Sequence, residues 1–481
     1  MISLPELTFV GILPALLLCA AGVVILVVGW FLRRGVLVVS CAVGIVGIAA
    51  ALIANNPLRF ANDSAFSNML AVDAYSWFLN IVILIAAGLT ILMSVRYLED
   101  EGIAMYEYFV LVLFAAAGMM FMVGGDHILM IYIGLETLSI SIYILAGGLP
   151  ESVKSKEAAM KYLILGGFAS GMFLYGAALL FGAAGTLSLT GLAKHFQAGQ
   201  VGLLAKAGMG LILVGFCFKV SAVPFHMWTP DVYDGAPTPL TAFMSVGVKA
   251  AAFAAFVRVF FEALTQFQVD WTQILWALAV LTMILGNVAA VVQENIKRML
   301  AYSSIAHAGY ILIGMIAGGK AGISGVLYYL LAYTFTNLGA FGIVALVGRK
   351  GEARIMLKDY RGLGNSNPLL AVAMSIFMFS LAGIPPTAGF IGKFTIFSAA
   401  LAQGYIWLVI IAVLTSIVSV FYYFRVIMKM YMETPETQPA ALQLSPATAA
   451  ALIISTAGVL YIGIFPTTYL GLALESVKPL F

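Results

Sequence analysis

The sequence predicts an all-α integral membrane protein with about fourteen transmembrane helices. Of its 481 residues, 63% are hydrophobic and only 9% are charged, and the mean hydropathy is +1.06. Soluble proteins carry about 25% charged residues, so this composition excludes that class. Runs of about 20 apolar residues, enough to cross a bilayer as a helix, recur from end to end. Transmembrane barrels instead alternate apolar and polar residues.

These spans are expected to form a single polytopic membrane domain over residues 1–481. The first apolar stretch, residues 7–31, is too long for a signal peptide and should remain as the first helix. We expect spans one to three over about 5–98, a first repeat over about 104–265, a second over about 270–432 and span fourteen over about 446–470. The span centres lie near residues 19, 46, 83, 114, 137, 170, 215, 250, 281, 309, 335, 385, 417 and 458.

The distribution of basic residues predicts the orientation of these helices in the membrane. With the N-terminus outside, fifteen of the 24 Lys and Arg residues fall on the inner side and six on the outer side. Cytoplasmic loops carry an excess of Lys and Arg, so both termini are expected in the periplasm. The net charge of +3 is spread over many loops, and we therefore expect no nucleic-acid partner. The inner set is Arg33, Arg34, Arg96, Lys154, Lys156, Lys161, Lys297, Arg298, Arg349, Lys350, Arg354, Lys358, Arg361, Arg425 and Lys429, and the outer set is Arg59, Lys194, Lys206, Arg258, Lys320 and Lys478.

Four charged residues lie inside apolar spans: Glu136, Lys219, Lys249 and Lys393. A charge at the bilayer centre costs about 2.5 to 3.5 kcal/mol on insertion scales, so such residues usually mark a functional path. Burial disfavours the charged form of an amine, and a buried lysine can exchange its proton when a neighbouring charge changes. The alternative is a static pair of Glu136 with one lysine, which leaves two lysines unexplained. The pattern predicts proton movement, with Lys249 as the middle station.

Two spans are predicted to be broken by proline. The seventh, around residues 208–228, contains Pro224, and the twelfth, around 369–402, contains Pro385 and Pro386. Proline removes a backbone donor and clashes with the preceding turn. An ordinary kink is the alternative for either helix alone. The breaks are five spans apart, which predicts two inverted five-helix repeats, spans 4–8 and 9–13, as in transporters.

The remaining polar residues suggest a relay without a cofactor. His226 follows the break at Pro224, and His307 lies on the tenth span. Either can relay protons near neutral pH, and a hydrogen-bonded structural histidine is an equally good interpretation. The three cysteines lack metal-ligand spacing, and no dinucleotide, haem or iron-sulfur pattern is present. We therefore expect no cofactor and no metal in this chain.

Three long stretches carry a family resemblance: residues 215–239 (GFCFKVSAVPFHMWTPDVYDGAPTP), 295–310 (NIKRMLAYSSIAHAGY) and 380–394 (SLAGIPPTAGFIGKF). They resemble the antiporter-like subunits of respiratory complex I, the NADH:quinone oxidoreductase, and the likeness extends over essentially the whole chain. The resemblance matches Glu136, Lys219, Lys249 and Lys393 with the family's charged residues on the fifth, seventh, eighth and twelfth helices.

The resemblance implies a proton-translocating subunit of the bacterial inner (plasma) membrane that moves protons outward. NADH oxidation and quinone reduction in other subunits would drive it, with FMN, iron-sulfur clusters and quinone bound there. Its partners would be the other membrane subunits, including sibling antiporter-like subunits, and lipid. The eleventh span lacks an ionisable relay group, so water held by Thr334, Thr336 and Asn337 would bridge Lys249 and Lys393.

Two other functions remain open at this point. A multisubunit cation/proton antiporter shares most of these motifs and works without a redox partner. Purification separates the two, because co-purifying flavin and iron-sulfur subunits favour complex I. A purely structural membrane spacer predicts that neutralising the buried lysines leaves turnover and pumping intact.

Overall fold

The computed structural model describes residues 9–32, 34–103, 105–199, 201–348, 350–434, 442 and 444–481. Arg33 and Arg349, both assigned to the inner side above, lie outside the described residues, as does the start of the first apolar stretch at Leu7.

The described residues confirm an all-α membrane fold with fourteen spans. Thirteen helices are long and apolar enough to cross a membrane, and two shorter apolar helices together form the twelfth span. The first three spans are α1 (Leu13–Phe31), α2 (Val36–Asn55) and α3 (Ala74–Glu101). Between α2 and α3 lies a small antiparallel hairpin that the sequence did not predict, formed by β1 (Asp63–Ala65) and β2 (Leu70–Val72).

The two inverted repeats follow. The first begins with α4 (Glu107–Gly124), α5 (Ile128–Ala146), α6 (Val153–Ala184) and the surface helix α7 (Leu189–Gln197). Its broken seventh span consists of α8 (Leu203–Val220) and α9 (Trp228–Gly235). Its eighth span consists of α10 (Thr238–Phe243) and α11 (Lys249–Arg258), with π-helical turns at Met244–Val248 and Val259–Ala263. The second contains α12 (Gln268–Val291), α13 (Ile296–Ala317), α14 (Gly319–Gly348), the short α15 (Leu363–Ser366), the broken twelfth span α16 (Pro368–Ala382) with α17 (Ala388–Ala402), and α18 (Ile406–Met432). The chain continues with α19 (Pro446–Ile464), the last span, and α20 (Pro466–Ser476).

Both repeats begin with two helices that cross at glycine. A Cβ added to Gly118 on α4 would lie 2.7 Å from the backbone nitrogen of Leu138 on α5. A Cβ added to Gly309 on α13 would lie 2.7 Å from Met283 on α12. Small residues at such crossings let helix backbones approach closely, which is how helices associate in a lipid environment.

Both predicted helix breaks are confirmed. The helix α8 ends at Ser221, whose φ is +64°, and α16 ends at Gly383, whose φ is +85°. A left-handed residue is a common helix terminator, and proline in each following segment prevents the helix from continuing. The opened backbone finds partners on neighbouring groups, because Val223 N donates to Thr282 Oγ1 at 2.9 Å and Gly389 N donates to Ser380 Oγ at 3.1 Å. Such pairing is what permits irregular backbone at membrane depth.

Candidate functional site

The three intramembrane lysines lie in the interior of the helical bundle. The exposed fractions are 2% for Lys219, 2% for Lys249 and 4% for Lys393. Glu136 differs, because it is only half-buried and lies between the exposed residues Ile133 and Ile140 at the edge of the chain. The three ammonium groups therefore lie inside the bundle, whereas the Glu136 carboxylate lies near its lateral surface.

Lys219 is held by one hydroxyl and two aromatic rings. Its Nζ donates to Ser139 Oγ on α5 at 2.7 Å. The same ammonium lies 5.5 Å from the ring centre of Tyr143 and 5.2 Å from that of Tyr162. Cation–π contacts of this kind partly replace lost hydration.

Glu136 forms no direct ion pair with Lys219 within the described residues. Its Oε1 instead accepts a hydrogen bond from Ser170 Oγ on α6. Ser139, which binds Lys219, lies one turn after Glu136 on the same face of α5. Among the described residues the static pair considered from the sequence is therefore absent, and each charged group contacts its own serine hydroxyl, Ser170 for Glu136 and Ser139 for Lys219.

Lys249 lies where a π-helical turn meets α11, at the centre of the bundle. Its Nζ donates to the carbonyl oxygen of Ser304 at 2.7 Å and to Ser304 Oγ at 2.6 Å. Turns of π-helix inside α-helices occur frequently at functional sites. Ser304 belongs to α13, which ties the eighth span to the second repeat.

The helix α13 carries a polar row from Lys249 towards Lys393. Ser304, His307 and Tyr310 are spaced three residues apart, so they share one helix face at about 4.5 Å intervals. His307 Nδ1 lies 2.6 Å from the hydroxyl of Tyr329, and His307 Nε2 lies 3.1 Å from that of Tyr423. His307 therefore occupies the space between the two lysines.

Lys393 sits at the far end of this row. Its Nζ donates to the carbonyl oxygens of Leu381 and Ala382 at 2.9 and 3.1 Å, both freed by the break in the twelfth span. It also donates to Ser416 Oγ at 2.9 Å and lies 4.9 Å from the ring centre of Tyr310. Lys393 lines a largely apolar cavity of about 410 Å³ between α17 and α18.

The other sequence-predicted residues are placed differently. His226 is buried beside the break at Pro224, and its Nδ1 has no hydrogen-bond partner among the described residues. Thr334 donates to its own helix backbone, whereas Thr336 also contacts Ser380 Oγ at 2.9 Å. Asn337 donates to Ser245 Oγ, one turn before Lys249. The eleventh span thus contacts both Lys249's helix and the break that holds Lys393.

Sequence reasoning missed a set of buried tyrosines around Lys219 and Lys249. Four of them have hydroxyls without a hydrogen-bond partner in the described part of the chain: Tyr143, Tyr162, Tyr233 and Tyr333. Buried hydroxyls are nearly always paired, so we expect ordered water there. Tyrosine in an apolar helix resembles any core residue, and the sequence offered no signal that singles these four out.

Two buried ion pairs were also missed, because their basic residues had been assigned to loops. Arg258 is 1% exposed, and its Nη2 lies 2.9 Å from Asp73 Oδ2. Lys297 is fully buried, and its Nζ lies 2.5 Å from Glu352 Oε2. Both pairs lie at the ends of spans. In the residues that the structure describes, no group of three or more His, Cys, Asp or Glu is placed to hold a metal ion.

Comparisons with known proteins agree with these features. Residues 125–419 match the family model described as NADH:quinone oxidoreductase/Mrp antiporter, TM. The NADH-quinone oxidoreductase subunit N of Trichlorobacter lovleyi is 48% identical over 472 residues, which cover 97% of this chain and 96% of that protein.

Two solved structures have a similar fold. A chain of respiratory complex I from Thermus thermophilus with bound Aureothin superposes with a TM-score of 0.81 at 34% identity, covering 95% of this chain and 98% of that one. A chain of the Mrp complex from Dietzia sp. DQ12-45-1b superposes with a TM-score of 0.83 at 20% identity, covering 98% and 97%, a level that bears on the fold alone. The chain therefore belongs to the NADH:quinone oxidoreductase/Mrp antiporter family and, within it, to the subunits N of NADH-quinone oxidoreductases.

Proposed function

We propose that this chain, as a membrane subunit of an NADH:quinone oxidoreductase, moves protons outward through Glu136, Lys219, Lys249 and Lys393. The observation that carries the proposal is that none of the three buried lysines has a carboxylate within 4 Å among the described residues. A permanently charged buried amine without a counter-ion is costly, so these lysines are suited to change their ionisation. A purely structural spacer offers no reason to retain them.

The contacts suggest an order of transfer. A change in charge at Glu136, on the edge of the chain, acts on Lys219 through the field between them. Water beside the hydroxyls of Tyr162 and Tyr233 would carry a proton from Lys219 towards Ser304 and Lys249. His307, hydrogen-bonded on both ring nitrogens, then passes it along α13 towards Lys393. Release on the outer side completes the transfer.

His307 takes the role that the sequence analysis gave to water at Thr334, Thr336 and Asn337. Those three residues then hold the eleventh span between Lys249 and Lys393, through Ser245 and Ser380. His226 would serve the inner part of the path only through water, because the described residues offer its Nδ1 no direct partner.

The assembly supplies the driving force. Relatives are named NADH-quinone oxidoreductase subunit N, and on that basis FMN, iron-sulfur clusters and quinone are expected in partner subunits. Sibling antiporter-like subunits and lipid would cover the exposed apolar faces, for example at Phe168 and Trp407. The bacterial inner membrane is the expected location, with both termini periplasmic according to the distribution of basic residues.

A cation/proton antiporter subunit is the second candidate. The likeness to the Mrp complex supports a shared fold, whereas 48% identity over nearly the full chain joins this sequence to the complex I subunits. The purification test described above separates the two candidates.

The experiment is substitution of Lys219 or Lys393 by Ala in the assembled complex, with proton translocation and electron transfer measured together. We expect proton translocation to fall in both variants. Lys320→Ala, at an exposed position, is the matched control and should pump normally. Full pumping in Lys219→Ala or Lys393→Ala would reject the assigned role.

A further inference from the structure

A cavity that several charged side chains line opens on the expected inner side of the chain, outside the lysine row. Its volume is about 430 Å³, and it lies where the end of α3, the start of α6 and the loop after α14 meet. Four carboxylates line it, against two lysines, Lys154 and Lys350. Asp234 is paired with Lys154 and Glu352 with Lys297, so a small excess of negative charge remains to attract cations, and the volume holds several waters. The carboxylates are those of Glu101, Glu151, Asp234 and Glu352.

One residue of a buried ion pair, Glu352, lines this cavity, and its partner Lys297 lies beneath it. The side chain of Glu352 is 9% exposed and that of Lys297 is fully buried. Glu352 Oε1 accepts from the backbone nitrogen of Thr238 at 3.0 Å and from the hydroxyl of Tyr97 at 2.8 Å. Water in the cavity thus reaches the carboxylate, and the ammonium lies behind it.

The backbone that presents Glu352 is unusual. Glu352 has a φ of +50° and follows Gly351 at +69°. A left-handed conformation in a residue other than glycine costs about 1 kcal/mol or more and persists where surrounding contacts hold it. Those contacts are present, because Gly351 N donates to Glu101 at 2.9 Å and Glu352 itself meets Lys297. Strain that is held in this way often accompanies a functional group.

Contacts of Lys297 connect the cavity with the surroundings of Lys249. Lys297 Nζ also donates to the carbonyl oxygen of Ala236 at 2.8 Å, at the junction of α9 and α10. One turn earlier on α9, the buried hydroxyl of Tyr233 lies near Ser304, the residue that binds Lys249. The hydroxyl of Tyr333 approaches Ser304 from α14. The segment from Tyr233 to Ala236 therefore connects Lys297 with the hydroxyls beside Ser304.

We infer that this cavity is the inner-side inlet for protons and that Glu352 and Lys297 form its gate. The inference rests on the proposed function. A proton from cavity water binds the Glu352 carboxylate and neutralises it. The Lys297 ammonium, now without its counter-ion, gives a proton to water on the Tyr233 side and then takes the proton from Glu352. The pair returns to its charged state, and one proton has passed inward from the cavity.

The first test is Glu352→Gln in the assembled complex in membrane vesicles. Glutamine keeps the shape and an acceptor for Thr238 but cannot bind and release the proton. We expect proton translocation to fall by about a hundredfold, the lower end of the usual effect of a lost acid–base group, and Glu352→Asp to restore part of it. Glu475→Gln, in an exposed pair with Lys478, is the matched control. Normal translocation by Glu352→Gln would overturn the inference.

A second test does not depend on the buried pair and applies if Glu352→Gln fails to assemble. Glu151→Cys places a thiol at the cavity wall, where a bulky thiol reagent would obstruct it. Labelling should abolish most proton translocation relative to the same variant before labelling. Lys358→Cys, exposed on the inner side and not among the cavity residues, should be unaffected by the reagent. Complete labelling of Glu151→Cys without loss would contradict the inlet.

Lys249→Met, measured in parallel, distinguishes failure of the proposed inlet from failure of the proposed function. If it blocks translocation while the Glu352 and Glu151 variants do not, the inlet lies elsewhere and the proposed function stands. If none of the three variants changes translocation, both proposals fail.

Discussion

The imidazole Nδ1 of His307 lies 2.6 Å from the hydroxyl oxygen of Tyr329. This contact joins α13 to the eleventh span, between the residues that bind Lys249 and those that bind Lys393. With Ser304 one turn before and Tyr310 one turn after, the ring lies between the groups that hold Lys249 and Lys393. The ionisable group that the sequence offered as a possible relay, His307, therefore lies between Lys249 and Lys393, where water at the eleventh span was expected to bridge the two lysines.

Replacing His307 with Gln should lower proton translocation by about tenfold or more while the complex still assembles, because glutamine forms hydrogen bonds but does not titrate near neutral pH. The measurement is proton translocation per electron in membrane vesicles. His195→Gln, on the surface helix α7, is the control. Unchanged translocation in His307→Gln would indicate that water alone carries the proton between Lys249 and Lys393.

Lys249→Met is expected to abolish most proton translocation without lowering thermal stability. The ammonium is buried with hydroxyl and carbonyl partners only, so an apolar side chain of similar length removes a desolvation cost. Unfolding temperature and translocation should be measured on the same preparation. A large loss of stability would indicate that Lys249 serves packing instead.

Arg258→Met should have the opposite effect on stability. It would leave Asp73 and Glu262 buried without their cation, at a cost of about 3 to 5 kcal/mol. Lys206→Met breaks the exposed pair with Asp270 and should cost no more than about 1 kcal/mol. Chemical unfolding of the two variants, or their yield in the membrane, gives the comparison, and equal effects would contradict it.

Asp126, in the loop between α4 and α5, predicts a pH dependence. Burial raises the pKa of Asp126 above its ordinary value of 3.8, Arg258 opposes this shift and Asp73 adds to it. A carboxyl with a raised pKa in the folded state binds its proton more tightly there, so stability falls as the pH rises from that ordinary value through the raised one. Asp126→Asn should therefore raise the unfolding temperature at about pH 7, and its advantage should shrink as the pH falls towards about 4. A constant difference across this range would show that the carboxyl group does not titrate as expected.

Gly118→Ala should weaken the packing of α4 on α5. The added Cβ would lie 2.7 Å from Leu138 N and 2.9 Å from Gly134 O, and both are backbone atoms that move only with their helix. Overpacking of this kind costs about 1 to 3 kcal/mol. Gly167→Ala on α6 meets no atom within 4 Å and should assemble normally. The yield of assembled complex measures both, and equal yields would contradict the prediction.

Much of the fold could be predicted because single spans carry their own signals. The length of an apolar run sets a helix, and Pro224, Pro385 and Pro386 set the breaks, through local steric effects that need no tertiary information. Assigning basic residues to loops gave an orientation that stays a prediction, and the assignment was wrong for Arg258 and Lys297, which are buried in ion pairs. Hydropathy locates the end of a span within a few residues, and burial at that end depends on what packs beside it.

The sequence by itself determined the number of helices, the family and the four charged positions, because the cost of a charge in hydrocarbon makes such residues conspicuous in an apolar run. Tertiary structure alone decided the partners of those charges. Ser139 instead of Glu136 at Lys219, Ser304 at Lys249, and the carboxylate of Glu352 at Lys297 all join residues far apart in the chain. Hydrogen bonds form between whichever groups the packing brings within about 3 Å, and no local pattern encodes that distance.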